Sequence, residues 1–121
     1  MAGFEQLNQP FIPRKVWLQC QLALAEGFTN AVRHAHKNLP PETPISVEIA
    51  LFEEYLEIRV WDRGHPFDLE QRLRNLEHKV DDQAGGGRGI VILQKIADFL
   101  SYTRSGDRNC LLIRKNYVED D

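Results

Sequence analysis

Two short segments in which apolar and polar residues alternate do most to limit the fold of this chain. The first is ISVEIALF at residues 45–52, and the second is YLEIRVW at residues 55–61. A period of two is typical of a β-strand that buries one face. Because only the acidic pair Glu53 and Glu54 separates the two segments, we predict an antiparallel hairpin.

The residues before this hairpin follow a helical period instead. From about Arg14, apolar residues recur at spacings of three and four. This stripe comprises Trp17, Cys20, Leu24, Phe28, Ala31 and Ala35. The helix is expected to end near residues 37–39, because Pro40 and Pro41 remove hydrogen-bond donors and disfavour helical backbone before them.

The second half of the chain repeats the order of helix and hairpin. Residues 68–80 resume a helical period with Asp68 as a possible cap. A glycine run at 85–89 then opens an apolar helix that begins near Gly89 and extends to Leu100, and segments 100–104 and 110–117 form a closing hairpin. Helices on one face of a mainly antiparallel sheet predict an α+β fold, a two-layer sandwich.

Composition adds bounds on size, partners and location. A chain of 121 residues with 42% hydrophobic and 27% charged residues predicts one globular domain over residues 1–121, poorly patterned at 1–12 and frayed at 119–121. A net charge of −3 gives no electrostatic signature for nucleic acid or an anionic membrane. No segment reads as a membrane span or signal peptide, so we expect a cytoplasmic protein. Cys20 and Cys110 are expected to be buried free thiols.

Glu26 and Asn30 form the first candidate site, one helical turn apart and turned away from the apolar stripe. An amide oxygen can complete the coordination of a magnesium ion that phosphates and water mostly hold. A carboxylate one turn earlier can accept a proton from an attacking hydroxyl. The simpler interpretation, a solvated helix face, is the one that this pair alone favours. Gly27 between them costs about 1 kcal/mol against alanine in a helix, which indicates that something packs close to the backbone.

Asp62 and Gly64 form the second candidate site, at the end of a predicted strand. A carboxylate there can accept a hydrogen bond from an exocyclic amine, and a glycine lets a flat ring approach the backbone. An Asp-x-Gly turn is also common without any ligand.

The third candidate site is the glycine run with Arg88 at a helix N-terminus. Free amides and a guanidinium suit phosphate oxygens. A flexible loop is the alternative. The run is not a Walker loop, because no Lys-Ser/Thr pair follows the glycines. It is not a dinucleotide fingerprint either, because no predicted strand precedes it. The histidines, among them His34, have no recognisable metal-ligand spacing.

The order of these three sites resembles the GHKL ATPase superfamily, and within it the branch of anti-sigma-factor serine kinases. EGFTNAVRHAH resembles the N-box of that branch, VWDRGHPFD its first glycine box, and GGGRGIVILQKIAD its second. The resemblance covers about residues 16–115. It implies the Bergerat sandwich with ATP and magnesium as cofactors.

The resemblance also implies a role for each matching residue. Glu26 would be the general base, Asn30 the magnesium ligand, and His34 a side chain lining the nucleotide pocket. Asp62 would bind the adenine amine with Gly64 beside the ring. The lid over the phosphates would consist of Gly85, Gly86, Gly87, Arg88 and Gly89.

The implied partners are proteins. The substrate would be a serine or threonine on a STAS-domain anti-sigma-factor antagonist, and a dimer of the kinase would hold a sigma factor. The chain departs from the family at Pro66, which replaces a glycine, and at Asn109 and Cys110, where the family usually has a threonine. Only about a dozen residues precede the N-box helix, where the family tends to have a strand and a helix.

We therefore expect an ATP-dependent protein serine/threonine kinase that acts as a partner-switching regulator. A nucleotide-gated protein-binding module with little or no chemistry is the alternative. Less favoured are the ATP-binding half of a histidine kinase, for whose dimerising hairpin this chain has no room, and a domain that binds no nucleotide.

Overall fold

The computed structural model describes residues 12–35, 39–40, 42–65, 69 and 87–118. Helix α1 spans Arg14–Asn30 and continues as a π-helical segment over Ala31–Ala35. Strands β1 (Ser46–Leu51) and β2 (Tyr55–Asp62) form the first hairpin. Helix α2 spans Gly87–Ile96, and strands β3 (Phe99–Ser105) and β4 (Arg108–Asn116) form the second hairpin.

The four strands form one sheet in the order β1-β2-β4-β3, with every neighbouring pair antiparallel. The two hairpins join through β2 and β4, whose register runs from Tyr55 opposite Asn116 to Asp62 opposite Asn109. The strand that comes last in the chain therefore lies inside the sheet.

Both helices pack on one face of this sheet, which confirms the predicted α+β sandwich. Helix α1 contacts α2, β2 and β4. The core between the layers is formed by apolar side chains of both, among them Trp17, Cys20, Leu24, Ile58, Val60, Ile90, Leu93, Leu111 and Ile113. The predicted free thiols are present, since Cys20 and Cys110 are both buried and unbridged.

Gly27 is explained by the contact between the two layers. A β-carbon at this position would lie 3.3 Å from Cγ2 of Val60 and 3.5 Å from side-chain carbons of Leu111 and Ile113. The close approach that the sequence indicated is therefore the approach of α1 to the sheet. Its cost in helix propensity is offset by this packing.

Three details of the sequence prediction were wrong. Phe28 was assigned to the core stripe, but it is 38% exposed because the stripe drifts around a helix of 3.6 residues per turn. The pair Glu26 and Asn30 was expected on a solvated face if it served no function, yet Asn30 is buried. The predicted apolar helix ran too far, since α2 ends at Ile96 and Phe99 already belongs to β3.

Other expectations fall on residues that the structure does not describe. These are the patterning of residues 1–11, most of the predicted helix at 68–80, and the frayed end at 119–121. Of the helices that the structure does describe, none has the length and apolar character that crossing a membrane requires.

Candidate functional site

The direction of α1 across the sheet decides which ends of the elements meet. Cys20 lies in the first half of α1. Burial raises the pKa of its thiol to about 11, and the Lys115 ammonium of β4 opposes that rise, which indicates that Cys20 and Lys115 are close together. Lys115 pairs with Leu56 at the beginning of β2, whereas Gly27 packs on Val60 near the end of β2. Helix α1 therefore runs in the same direction as β2, so that its C-terminal end lies at the Asp62 end of the sheet.

Asn30 lies at this end of α1 and is only 5% exposed. Its Oδ1 atom is buried and has no hydrogen-bond partner among the described residues. An amide oxygen that is buried without a donor costs free energy, about 1–3 kcal/mol in mutational data. Such an atom is suited to a ligand that brings its own positive charge or hydrogen, and the site therefore fits a magnesium ion.

Glu26 lies one turn before Asn30 and faces the beginning of α2. A β-carbon built on Gly89 would come within 2.6 Å of Oε2 of Glu26. Only a glycine at this position leaves room for the carboxylate where it now lies. The first turn of a helix carries unpaired amide groups and a partial positive charge, which favours a carboxylate beside it.

Asp62 ends β2 and is 2% exposed. Its Oδ1 accepts a hydrogen bond of 2.9 Å from the backbone amide of Gly64. The sequence predicted an Asp-x-Gly turn here, and this side-chain hydrogen bond closes such a turn. An ionised carboxylate accepts hydrogen bonds and donates none, so in that form Asp62 can recognise a group that donates.

Asn109 is the residue that the sequence did not assign to the site. It is 0% exposed, and its Nδ2 donates hydrogen bonds of 2.8 Å both to Oδ1 of Asp62 and to the carbonyl oxygen of Gly64. From the sequence, Asn109 stood out only because it lies where anti-sigma-factor serine kinases usually have a threonine. The available signal was an asparagine in step with Leu111 and Ile113, at a position where the strand otherwise places apolar side chains into the core.

Cys110 follows Asn109 and points to the opposite face of the sheet, as alternation along a strand requires. Burial raises the pKa of its thiol. A thiol held in its protonated form is a weak nucleophile, so Cys110 adds no reactive group beside Asp62.

The remaining predicted site residues are less defined. Gly87 and Arg88 begin α2, and His34 lies in the π-helical segment, but the structure describes only their backbone. Gly85 and Gly86 lie outside the described residues. Within the described ranges, no group of three or more His, Cys, Asp and Glu side chains is placed to hold a metal ion.

Curated proteins similar to this chain are serine-protein kinases named RsbW. The chain is 36% identical to that of Bacillus licheniformis over 83 residues, 34% to that of Bacillus subtilis over 83 residues, and 37% to that of Bacillus pumilus over 84 residues. Each match covers 64% of this chain. The chain spans about half the length of these relatives, namely 52%, 51% and 52%.

Solved structures with a similar fold are histidine kinases. A histidine kinase domain from the blue-light activated kinase of Erythrobacter litoralis covers 87% of this chain with a TM-score of 0.59 at 20% identity, and the match covers 46% of that domain. Histidine kinase AdeS of Acinetobacter baumannii covers 85% with a TM-score of 0.53 at 14% identity, over 48% of its own chain. At these identities the similarity concerns the fold.

The sequence itself decides the family. The family described as the histidine kinase-like ATPase domain matches residues 3–115, nearly the whole chain. This match confirms the GHKL resemblance and supports ATP as the cofactor. The chain belongs to the histidine kinase-like ATPase domain family.

Proposed function

We propose that this chain is an ATP- and magnesium-dependent protein serine/threonine kinase. The observation that carries the proposal is the buried, unpartnered amide oxygen of Asn30, one turn from Glu26 and at the Asp62 end of the sheet. The similarity to serine-protein kinases supports a hydroxyl rather than a histidine as the acceptor.

Each element of the site has one task in this proposal. Asp62 accepts a hydrogen bond from the adenine amine, with Gly64 beside the ring. Asn30 would hold magnesium through Oδ1, and the ion would supply positive charge against the phosphates. Backbone amides at the start of α2 and the Arg88 guanidinium bind the phosphate oxygens. All of these roles stay predictions, as do those of His34, Gly85 and Gly86.

Glu26 performs the proton transfer. Its carboxylate takes the proton from the serine hydroxyl of the substrate protein as the hydroxyl oxygen bonds to the γ-phosphorus of ATP. The bond from that phosphorus to the bridging oxygen breaks, and ADP leaves with that electron pair. The products are ADP, a phosphoserine and a proton on Glu26, which solvent then removes.

The protein substrate proposed is a STAS-domain antagonist, with a sigma factor as the second partner and a homodimer as the assembly. These partners are the ones that the resemblance to anti-sigma-factor serine kinases implies. A partner switch fits chemistry of this kind, because phosphorylation places about two negative charges where the serine hydroxyl was neutral.

The first experiment measures binding and transfer separately. Isothermal titration with ATP, with and without magnesium, is expected to give magnesium-dependent binding that Asp62→Asn abolishes. Transfer of the γ-phosphate from labelled ATP to a purified STAS-domain protein of the same genome is expected to fall to a small residual rate in Glu26→Gln, while that variant still binds ATP. Glu53→Gln, a change at an exposed turn residue, is the matched control and should transfer normally.

The outcomes separate the possible functions. Binding without any transfer to STAS-domain proteins would favour the nucleotide-gated binding module. No binding of ATP at millimolar concentration would rule out both the kinase and the nucleotide switch.

A further inference from the structure

Three polar side chains lie in one row across the sheet. In the register of the strands, Asp62 of β2 is opposite Asn109 of β4, and Asn109 is opposite Arg104 of β3. The residues that flank this row on the same face of the sheet are apolar, as Val60 and Leu111 illustrate. Asp62 and Asn109 are buried, so hydrogen bonds are needed to offset the cost of burying their polar groups, and the exposed Arg104 closes the row at the edge of the apolar core.

The amide of Asn109 can take only one orientation in this row. Its two N–H groups point to Oδ1 of Asp62 and the carbonyl of Gly64, while its Oδ1 accepts a hydrogen bond of 3.1 Å from Arg104. A rotated amide would place its oxygen against two acceptors and its nitrogen against a donor. Arg104 therefore helps to fix the donors of Asn109 on Asp62.

Arg104 is itself held at two further points. Nη1 also donates to the carbonyl of Gly64 at 3.1 Å, and Nε donates to the carbonyl of Gly106 at 3.0 Å. Gly106 lies in the turn between β3 and β4 with a φ of 62°, a backbone conformation that favours glycine. The guanidinium is thus anchored to its own turn and to the loop that follows Asp62.

The effect on Asp62 is to occupy one carboxylate oxygen and leave the other available. Oδ1 already accepts from Gly64 and Asn109. Oδ2 takes part in neither of these two hydrogen bonds, so it is the oxygen that we assign to a ligand. An ionised carboxylate oxygen accepts hydrogen bonds and donates none, so it favours a ligand amine and repels a ligand carbonyl oxygen.

We propose that Arg104 is a positioning residue that, through Asn109, sets selectivity for a purine nucleotide with an amino group at position 6 over one with an oxygen there. This inference rests on the proposed binding of ATP. Arg104 does not touch the reacting atoms. It keeps the Asp62 carboxylate in the orientation in which Oδ2 meets the amine.

The test compares the affinities of ATP and inosine triphosphate, which carries an oxygen at position 6. The wild type is expected to favour ATP by at least about 100-fold, because a site built to hydrogen-bond an amine rejects the analogue that lacks it. Arg104→Met keeps an unbranched apolar stem and removes the guanidinium with its donors. It is expected to lower ATP affinity about tenfold, with little change for inosine triphosphate, so that the ratio of affinities falls about tenfold.

Two further variants separate positioning from a general disturbance of the hairpin. Arg104→Lys keeps a donor and is expected to recover part of the lost selectivity. Arg108→Met changes an arginine of the same hairpin that lies over the ring of Trp61, at 4.3 Å from the centroid and away from the row. It should leave the ratio unchanged. In the nucleotide-free protein, hydrogen exchange of the Asn109 side-chain amide should become faster in Arg104→Met alone.

The outcomes distinguish this inference from the function on which it rests. If the wild type favours ATP and Asp62→Asn abolishes binding, but Arg104→Met keeps the selectivity, the inference is wrong and the proposed function stands. A loss of selectivity in Arg108→Met equal to that in Arg104→Met would also overturn the inference. If the wild type binds neither nucleotide, the proposed function and the inference fail together.

Discussion

Replacing Gly89 with alanine tests whether this glycine exists to make room for the proposed general base. A β-carbon there would lie 2.6 Å from Oε2 of Glu26, and ordinary contact begins at 3.4 Å. The carboxylate oxygen must therefore move by about 0.8 Å, the difference between 3.4 and 2.6 Å. Since the end of a glutamate side chain is flexible, we expect it to move rather than the backbone.

The expected effects on stability and on rate differ in sign. Alanine gains up to about 1 kcal/mol over glycine in a helix, so the melting temperature should stay the same or rise by a few degrees. A catalytic group displaced by about 1 Å can lose about 100-fold in rate. We therefore expect Gly89→Ala to lower kcat for phosphoryl transfer by about 10- to 100-fold while the protein stays folded.

The assay is a double-mutant cycle with Glu26→Ala, measured as kcat and as the Kd for ATP. In the Glu26→Ala background there is no carboxylate for the new methyl group to displace, so Gly89→Ala should have no further effect on kcat. An equal loss of rate in both backgrounds would refute this reasoning. If ATP affinity fell instead of kcat, Gly89 would act through the phosphates, as the family resemblance implies, and not through Glu26.

Three further predictions concern the free energy of unfolding, measured by urea denaturation. Asn30→Leu removes a buried oxygen without a partner, so the free energy of unfolding should stay the same or rise by about 1 kcal/mol. The magnesium dependence of ATP binding should disappear. A large destabilisation would contradict the unpaired state of the amide oxygen. Gly27→Leu should cost about 2–3 kcal/mol, because its side chain would enter the space of Val60, whereas Thr29→Leu on the exposed side of the helix is the control and should cost little. The pKa of Cys20 is raised from 9.0 to about 11, so the folded state holds its proton more tightly than the unfolded state. That stabilisation is fully present below pH 9 and is lost as pH rises from 9 to 11, by about 2–3 kcal/mol in total; Cys20→Ala should lack this part of the pH profile, and identical profiles would contradict the assignment.

Strand periodicity made the sheet predictable, and helix periodicity located α1. The alternation around Ile58 and Val60 has a single interpretation, because a shift of one residue would turn every apolar side chain to solvent. The end of α2 was not predictable in the same way. Phe99 and Leu100 continue the apolar character of the helix, and short apolar runs do not distinguish a helix from a strand.

The candidate site was predictable where residues of one element act together and not where distant segments meet. Glu26 and Asn30 were identified from their spacing on one helix. A helical-wheel projection predicted that both face solvent, whereas Asn30 is buried in the structure. Arg104 and Asn109 are separated from Asp62 by 42 and 47 residues, so only the register of the sheet reveals their contact. The need for glycine at position 89 likewise depends on the approach of α1 to α2.

The position of β4 between β2 and β3 affects how the chain can be made. Translation delivers the first hairpin, α1 and α2 before the strand that joins the two hairpins, so the nascent chain lacks one of the two inner strands of the sheet until residues 108–116 leave the ribosome. Until then β2 presents an unpaired edge and an open apolar face, the features that recruit chaperones or lead to aggregation. A polypeptide released after residue 105 should consequently fail to fold, with loss of the whole core rather than of one edge.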